Sequence, residues 1–230
     1  MTRIIDAPAF PASHRWPVTL RHGWLMLTPF RGRDAAAVGD VRARNGSWLR
    51  PWDATAPRPS ESMPGGDRIR FIWSQARRGI SLPWLIRWAE AGRPYPVIGQ
   101  CTVSNIVYGS AQSASIGYWI DRAYAGRSIT PAAVALAADY AMASVGLHRI
   151  EICVRPENRA SLRVVEKLGF RYEGRRPRYI HIAGDWRDHE VFALTAEEMP
   201  NGLLSRVPIA VVRGESGGQS PVVSQGDSPR

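Results

Sequence analysis

The stretch SIGYWIDRAYAGRSITP, residues 115–131, decides the fold of this 230-residue chain. Its first half is typical of a β-strand, and a tight turn of small residues follows. A helix is then predicted, with Thr130 as its N-cap and Pro131 at its first position, where a missing N–H costs nothing. The first turn of such a helix presents backbone N–H groups at the positive end of its dipole, and these donors suit phosphate oxygens. The sequence therefore predicts a phosphate site in front of this helix.

A second strand-to-helix segment follows at residues 149–170. Residues 150–154 predict a strand, and Asn158 is the predicted N-cap of a helix that ends at Leu168, before Gly169. If the two predicted strands are parallel neighbours in one sheet, a ligand is expected to bind outside their carboxyl ends, at the point where the strands part. The two segments together indicate an enzyme that holds a pyrophosphate-bearing cofactor between two strands.

The order of the predicted elements defines the fold class. An antiparallel run of strands precedes the two strand–helix units, which predicts a mixed α/β (α+β) fold. We expect a central, mostly antiparallel sheet of six or seven strands, with a splayed parallel pair and helices on both faces. The predicted elements are a strand at 24–30, a helix at 34–44, a long loop at 46–66, a helix from Asp67 to Gly79, strands at 82–88, 97–107 and 115–121, a helix at 131–144, a strand at 150–154, a helix at 158–168, and a hairpin that joins 179–182 to 186–194.

A single domain is predicted at residues 18–207, between an N-terminal arm (1–17) and a flexible C-terminal tail (208–230) rich in Gly, Ser, Gln and Pro. The chain has no run of 18 apolar residues and no apolar core of signal-peptide length, so we expect a cytoplasmic protein without membrane contact. Cys101 and Cys153 are expected to be reduced. The spacing of His, Cys and Asp does not fit zinc, so no metal is expected.

The chain is strongly basic, with a net charge of +10, and Lys167 is its only lysine. Arginine favours bidentate contacts with phosphate and carboxylate groups. The charge fits attraction to an anionic cofactor or to a ribonucleoprotein, and it equally fits a solvated arginine-rich surface. No helix-turn-helix, zinc-finger or RNP signature is present, so we expect no direct sequence-specific binding of nucleic acid.

Three segments carry a resemblance to a known family: YWID…TP at 118–131, RPENRAS…EKLGF at 155–170, and GDWRDH at 184–189. From about Trp24 to Glu198 the sequence resembles the GNAT acyltransferase superfamily. The GDWRDH segment resembles its RimJ/RimL type, whose members acetylate the N-terminal amine of ribosomal proteins. The resemblance implies a GNAT fold, acetyl-CoA as cofactor, and a protein N-terminus as acceptor, in particular that of a ribosomal protein.

The resemblance also assigns cofactor-binding residues. The superfamily phosphate turn, Arg/Gln-x-x-Gly-x-Gly/Ala, has its marked positions at three residues that depart from it here: Ala125, Ser128 and Thr130. Main-chain N–H groups can still hold phosphate, with added donors from the Arg127 and Ser128 side chains. Besides its capping role, Asn158 is implied to reach the pantetheine arm. The full set is Ile120, Ala125, Gly126, Arg127, Ser128, Ile129, Thr130 and Asn158.

Direct attack of an amine on a thioester needs a free amine, a donor for the developing oxyanion and a proton for the sulfur. A backbone N–H near Ile120 is the predicted oxyanion donor, released from the next strand by a bulge. The resemblance implies that Ser161 protonates the departing thiolate; an ordinary first-turn serine is the alternative. Glu151 is the candidate base, and a salt bridge to Arg149 or another arginine is its alternative. An α-amine, with a pKa of about 7.7–8.0, needs only a weak or water-relayed base.

The remaining aromatic and imidazole side chains receive simpler interpretations. His148, His181 and His189 are isolated in the sequence and are interpreted as structural or surface residues. Trp48 and Trp52, in the long loop, are candidates for a wall of the acceptor groove, with a place in the core as the alternative.

Two other functions compete with N-terminal acetylation. The acceptor could be a small amine, such as an antibiotic or an amino acid, or the protein could be a catalytically silent module for CoA binding or ribosome assembly. Turnover with release of CoA distinguishes an enzyme from a module that binds without reaction. Ribosome association stays open, as does the choice between monomer and homodimer.

Overall fold

A computed structural model describes residues 16–58, 65–89 and 95–207 of the chain. It contains one eight-stranded sheet in the order β1-β2-β3-β4-β5-β6-β8-β7. All neighbouring strands are antiparallel except β5 and β6, as the sequence predicted. We expected six or seven strands, and β1 is the additional one. It was not predicted because three residues are too few to show an alternation of apolar and polar side chains. The strands are β1 (Leu20–His22), β2 (Leu25–Pro29), β3 (Leu82–Trp88), β4 (Val97–Val107), β5 (Ser113–Ile120), β6 (Arg149–Val154), β7 (Arg171–Ile182) and β8 (Asp185–Thr195).

Five α-helices connect these strands in the described part of the chain: α1 (Ala35–Arg44), α2 (Gly46–Leu49), α3 (Gly65–Arg77), α4 (Ile129–Ala143) and α5 (Arg159–Leu168). The predicted loop at 46–66 thus contains the short α2, and its residues 59–64 lie outside the described residues. The prediction that Asp67 caps the second helix was wrong, because α3 already begins at Gly65.

The start of α4 also differs from the prediction. Ser128 is the N-cap, so Thr130 and Pro131 lie inside the first helical turn instead of at its boundary. Ser128 has a left-handed conformation, with φ 56°, which completes the turn before Ile129. Pro131 is tolerated at the third helical position because the N–H groups of the first turn have no partner within a helix.

Helices cover both faces of the sheet, as predicted. Alternate residues of β3 contribute to two hydrophobic clusters: Trp84 and Ile86 pack in the cluster that contains α4, whereas Leu85 packs with Val38 of α1. Since successive side chains of a strand point to opposite faces, the two clusters lie on opposite sides of the sheet. The thiol of Cys101 lies against the Ala133 carbonyl of α4, at 4.0 Å.

The parallel strands β5 and β6 pair only at their beginnings. Three register pairs join them, from Ser113↔Arg149 to Ser115↔Glu151. Beyond these pairs β5 stays on β4, up to Gly99↔Ile120, while β6 stays on β8. The strands therefore part as predicted. The expected bulge at Ile120 is wrong: the irregularity between β4 and β5 lies at Ser104/Val107, and β5 leaves β6 because each strand end follows its own antiparallel neighbour.

The last two strands form the predicted hairpin, although β7 begins much earlier than expected and Asp185 belongs to β8. The two turn residues, Ala183 and Gly184, have φ of 52° and 86°. Two successive residues with positive φ match the twist of the flanking strands. The hairpin extends the sheet beyond β6 and brings its residues near the opening between β5 and β6.

Of the predicted N-terminal arm, only Trp16 and Pro17 lie among the described residues. The Trp16 ring meets the ring of core residue Trp84 edge-on, with centroids 5.4 Å apart, so this part of the arm packs on the domain. The predicted tail, 208–230, lies outside the described residues. Cys101 and Cys153 are free thiols, as predicted. In the described ranges, no helix has the length and apolarity needed to cross a membrane.

Candidate active site

The parting strands enclose a cavity of about 210 Å³. One wall is β5 at Gly117 and Tyr118, and the opposite wall is the end of β6 around Cys153. Asn158 and Ser161, at the start of α5, form one end. The two strands also contribute apolar residues, and Arg155, just after β6, adds a cation. The other lining residues come from the strands, from the segment after α2 and from the β7–β8 hairpin: Ile116, Ile152, Val154, Trp52, Ala54, Ile180, Ile182 and His189. The cavity thus lies where the sequence predicted a ligand.

The turn at residues 125–130 presents a row of backbone N–H groups. Gly126 and Ser128 both have positive φ, 79° and 56°, a backbone pattern that makes anion-binding concavities. Ala125 donates its N–H to the Arg122 carbonyl, at 3.2 Å. The N–H groups of 126–130 have no acceptor among the described residues. These amides and the dipole of the 15-residue helix α4 suit an anion.

Two cationic side chains lie beside this turn. Lys167, near the end of α5, donates from Nζ to Ser128 Oγ at 3.1 Å. The Arg127 guanidinium lies over the Tyr124 ring, 5.2 Å from its centroid. The chain's only lysine is therefore placed against the turn, which the sequence reasoning did not foresee because α5 follows the turn by some thirty residues.

Asp121 anchors the turn to the helices before it. Its buried carboxylate accepts hydrogen bonds from Arg44 Nη2 at 2.7 Å, Asn45 Nδ2 at 2.9 Å and the Ala123 N–H at 3.1 Å. Burial raises the pKa of this carboxyl, but the three hydrogen bonds outweigh it and hold the pKa below its ordinary value. The neighbouring Arg122 N–H donates to Asn45 Oδ1 at 3.0 Å. The junction between α1 and α2 is thereby tied to the end of β5.

We expect Asp121→Asn to lower the free energy of unfolding at neutral pH by about 2 kcal/mol, because it removes charge-assisted hydrogen bonds. The carboxyl pKa is lower in the folded protein than in the unfolded one, so its stabilisation is full above the unfolded pKa of about 3.9. This stabilisation is lost as the pH falls through the folded pKa. Urea unfolding of both proteins at several pH values measures the difference. A difference in unfolding free energy between the two proteins that stays constant as the pH falls below the folded pKa of Asp121 would contradict this role.

The start of α5 is built as the sequence predicted. Asn158 caps the helix, with Oδ1 accepting the Ser161 N–H at 3.1 Å. Tyr118 adds a second hydroxyl here, which donates to the Ser161 carbonyl at 3.4 Å. Burial raises the pKa of Tyr118 far above its ordinary value, so the phenol keeps its proton. Sequence reasoning missed Tyr118 because only the fold brings β5 against α5.

Glu151 and Ile120 lie away from the cavity lining. Glu151 makes ion pairs with Arg149 at 2.9 Å and Arg176 at 3.1 Å, which is the alternative that the sequence left open. Its role as base stays a prediction, and the two guanidinium groups that occupy its oxygens weigh against it. The Ile120 carbonyl accepts the Trp48 indole N–H at 3.1 Å. Trp48 therefore supports the end of β5, whereas Trp52 lines the cavity.

If Ser161 protonates the leaving thiolate, as the resemblance implies, Ser161→Ala should lower kcat by about 10-fold. This is less than general acid catalysis usually contributes, because the Tyr118 hydroxyl lies close enough to replace it in part. Glu151→Gln should leave kcat within about twofold, because only ion pairs change. Steady-state kinetics with saturating thioester and amine measures both effects. An unchanged kcat in Ser161→Ala would remove its hydroxyl from the reaction, and a large loss in Glu151→Gln would restore that carboxylate as the base.

A mixed sheet that opens at its one parallel pair, with an amide-lined turn at the opening, is the arrangement that the resemblance to acyltransferases implies. A family model described as the acetyltransferase (GNAT) domain matches residues 25–171, and the chain belongs to this family.

Individual relatives agree with this family. The chain is 30% identical to [ribosomal protein uS5]-alanine N-acetyltransferase of Escherichia coli, over 77% of this chain and 91% of that protein. It is 44% identical to the probable N-acetyltransferase YjcK of Bacillus subtilis, but over only 43% of this chain and 54% of YjcK. Among solved structures, Mycobacterium smegmatis RimJ in complex with CoA-disulfide is similar, with a TM-score of 0.75 and 35% identity over 87% of this chain and 96% of that one.

Proposed function

We propose that this GNAT acetyltransferase uses acetyl-CoA to acetylate the N-terminal α-amine of a protein, and that this protein is ribosomal. The observation that carries the proposal is the lining of the cavity, which includes no Asp or Glu among the described residues. A small cationic amine favours a closed, acidic pocket, whereas a protein N-terminus needs an open groove for its extended chain. The E. coli relative acts on a ribosomal protein by its name, which supports the same acceptor class.

The residues at the opening fit acetyl-CoA. The unpartnered N–H groups at 126–130 and the cations of Arg127 and Lys167 suit a pyrophosphate. Asn158 lies in the cavity, where its amide can bond to the pantetheine arm while it caps α5. The family pattern has glycine where this chain has Ser128. Lys167, beside Ser128, adds a cation to the turn, and this cation compensates for any affinity for pyrophosphate lost with the glycine.

Acetyl-CoA supplies a thioester carbonyl that an amine can attack without a covalent enzyme intermediate. The edge of β5 beyond Ser115 has no partner on β6, so N–H groups there are available to the developing oxyanion. We therefore propose an oxyanion donor near Gly117 and Tyr118, which line the cavity, instead of the one expected near Ile120. We assign the proton for the departing sulfur to the Tyr118 and Ser161 hydroxyls, because both residues line the cavity.

Mass spectrometry of intact ribosomal proteins tests the acceptor. Proteins from cells that have the gene are compared with those from cells that lack it, and with cells that carry only a Ser128→Asp copy. We expect one ribosomal protein to lose the mass of one acetyl group from its N-terminus in both altered strains. Identical masses in all strains, together with turnover of a small amine by the purified enzyme, would assign the acceptor to the small-amine class.

A further inference from the structure

Acetylation of an α-amine at neutral pH is faster when even a weak base removes a proton from the ammonium form. Among the described residues that line the cavity there is no carboxylate. Burial raises the pKa of both Tyr118 and Cys153, so these two groups are protonated and serve poorly as bases. His189 is the remaining titratable side chain in the lining that can be uncharged and basic. It belongs to β8 and is only 3% exposed.

The hydrogen bonding of His189 fixes which ring nitrogen is basic. Its Nδ1 lies 3.0 Å from the carbonyl oxygen of Arg187. A carbonyl only accepts, so Nδ1 carries the hydrogen and Nε2 holds the lone pair. No described residue donates a hydrogen bond to Nε2. The imidazole is therefore oriented by the backbone of its own strand, with its basic nitrogen unengaged.

The surroundings of His189 favour its neutral form. Burial lowers its pKa most, the bond to the Arg187 carbonyl raises it, and the nearby Arg155 guanidinium lowers it again. Asp188 and Glu157 act in the opposite sense but weakly, and the pKa remains below its ordinary value. The Tyr179 ring meets the imidazole edge-on, with centroids 6.0 Å apart. A neutral imidazole at physiological pH can accept a proton.

We propose that His189 is the general base of the acetyl transfer, an inference that rests on the proposed amine acceptor. Nε2 takes one proton from the ammonium group, and the freed amine forms the N–C bond as the C–S bond breaks. The second proton of the nitrogen passes to the sulfur by way of the Tyr118 or Ser161 hydroxyl. His189 then returns its proton to water, so the reaction yields amide, thiol and one released proton.

The pH dependence of His189→Asn separates this role from a structural one. Asparagine keeps a donor for the Arg187 carbonyl but has no basic nitrogen. With an α-amine pKa of about 8, about 97% of the acceptor near pH 6.5 is ammonium, so the variant should lose about 100-fold in kcat/KM there, the low end of what general base catalysis contributes. The loss should shrink to less than about threefold near pH 9.5, where the acceptor is already deprotonated.

His181→Asn is the matched control. His181 lies on the same hairpin and bonds to Thr55 Oγ1 at 2.8 Å, outside the cavity lining. We expect the kcat/KM of His181→Asn to equal that of the wild type at every pH. Calorimetry should show that His181→Asn and His189→Asn both bind CoA with the wild-type affinity. A loss in His189→Asn that is the same at all pH values, or no loss at all, would overturn the proposal.

A second measurement needs no acceptor. Nitrogen-15 NMR of the labelled protein should show His189 neutral at pH 7 with its hydrogen on Nδ1. A hydrogen on Nε2, or a charged ring, would overturn the role as base. A wild-type enzyme that binds acetyl-CoA and shows this tautomer, but acetylates no N-terminal peptide, would instead count against the proposed acceptor.

Discussion

Gly99→Ala is expected to destabilise the fold by about 3 kcal/mol and to weaken cofactor binding, because its new Cβ cannot be accommodated. A Cβ at Gly99 would overlap the backbone oxygen of Trp119 and lie 3.3 Å from Ile86 Cδ1. Gly99 pairs with Ile120 at the end of β5, and the Asp121 N–H donates to the Ile98 carbonyl at 2.7 Å. The end of β5 must therefore move, and the turn at 125–130, which is the proposed phosphate site, moves with it.

Gly39→Ala is the control for this substitution. A Cβ at Gly39 of α1 meets no atom within 4 Å, and alanine favours a helix over glycine by about 0.5–1 kcal/mol. In urea unfolding, Gly99→Ala should therefore have a lower free energy of unfolding than the wild type, and Gly39→Ala a slightly higher one. A Gly99→Ala protein within about 0.5 kcal/mol of the wild type would show that β5 yields without cost, contrary to the packing described.

Ser128→Asp should weaken acetyl-CoA binding by about 100-fold, because a carboxylate at the turn opposes the pyrophosphate at a cost of several kcal/mol. Ser128 lies at the N-cap of α4, among the unpartnered amides. A carboxylate there would also attract the Lys167 ammonium, which now donates to Ser128 Oγ. Calorimetric titration with CoA measures the affinity directly.

Ser128→Gly provides the contrast at the same position. Glycine adopts the positive φ of Ser128 without strain and should stabilise the protein by about 1 kcal/mol, with CoA affinity within about threefold of the wild type. Equal CoA affinity in Ser128→Asp and Ser128→Gly would mean that the diphosphate binds away from this turn.

Local sequence signals predicted most of the fold. The cap at Asn158 and the stop at Gly169 fixed the bounds of α5, because both act through their immediate neighbours. The start of α4 was misplaced because Ser128 adopts a left-handed conformation, which sequence preference does not favour for serine. Strand β1 was missed because three residues carry no periodicity. The parting of β5 and β6 was predicted, but its cause was not: a bulge was expected at Ile120, whereas each strand end follows its own antiparallel neighbour.

The site was predicted less completely, because its chemistry depends on residues that are distant in sequence. The turn at 125–130 is one continuous segment, so its position before a helix could be predicted and its phosphate-binding role stays a prediction, whereas Tyr118 and His189 enter the cavity from separate strands. No sequence motif marks His189 as a functional residue. Which of its ring nitrogens is basic can be identified only from the hydrogen bond between Nδ1 and the Arg187 carbonyl. Glu151 was a reasonable candidate on strand parity, and its two arginine partners became visible only with β7 in place.

A crystal structure of the protein with acetyl-CoA tests most directly the claim that the gap between β5 and β6 holds the cofactor. We expect the pyrophosphate oxygens within about 3 Å of the backbone nitrogens at 126–130, and the thioester between Gly117 and Ser161. A cofactor bound elsewhere, or a β5 and β6 that pair beyond Ser115 and close the gap, would contradict the account.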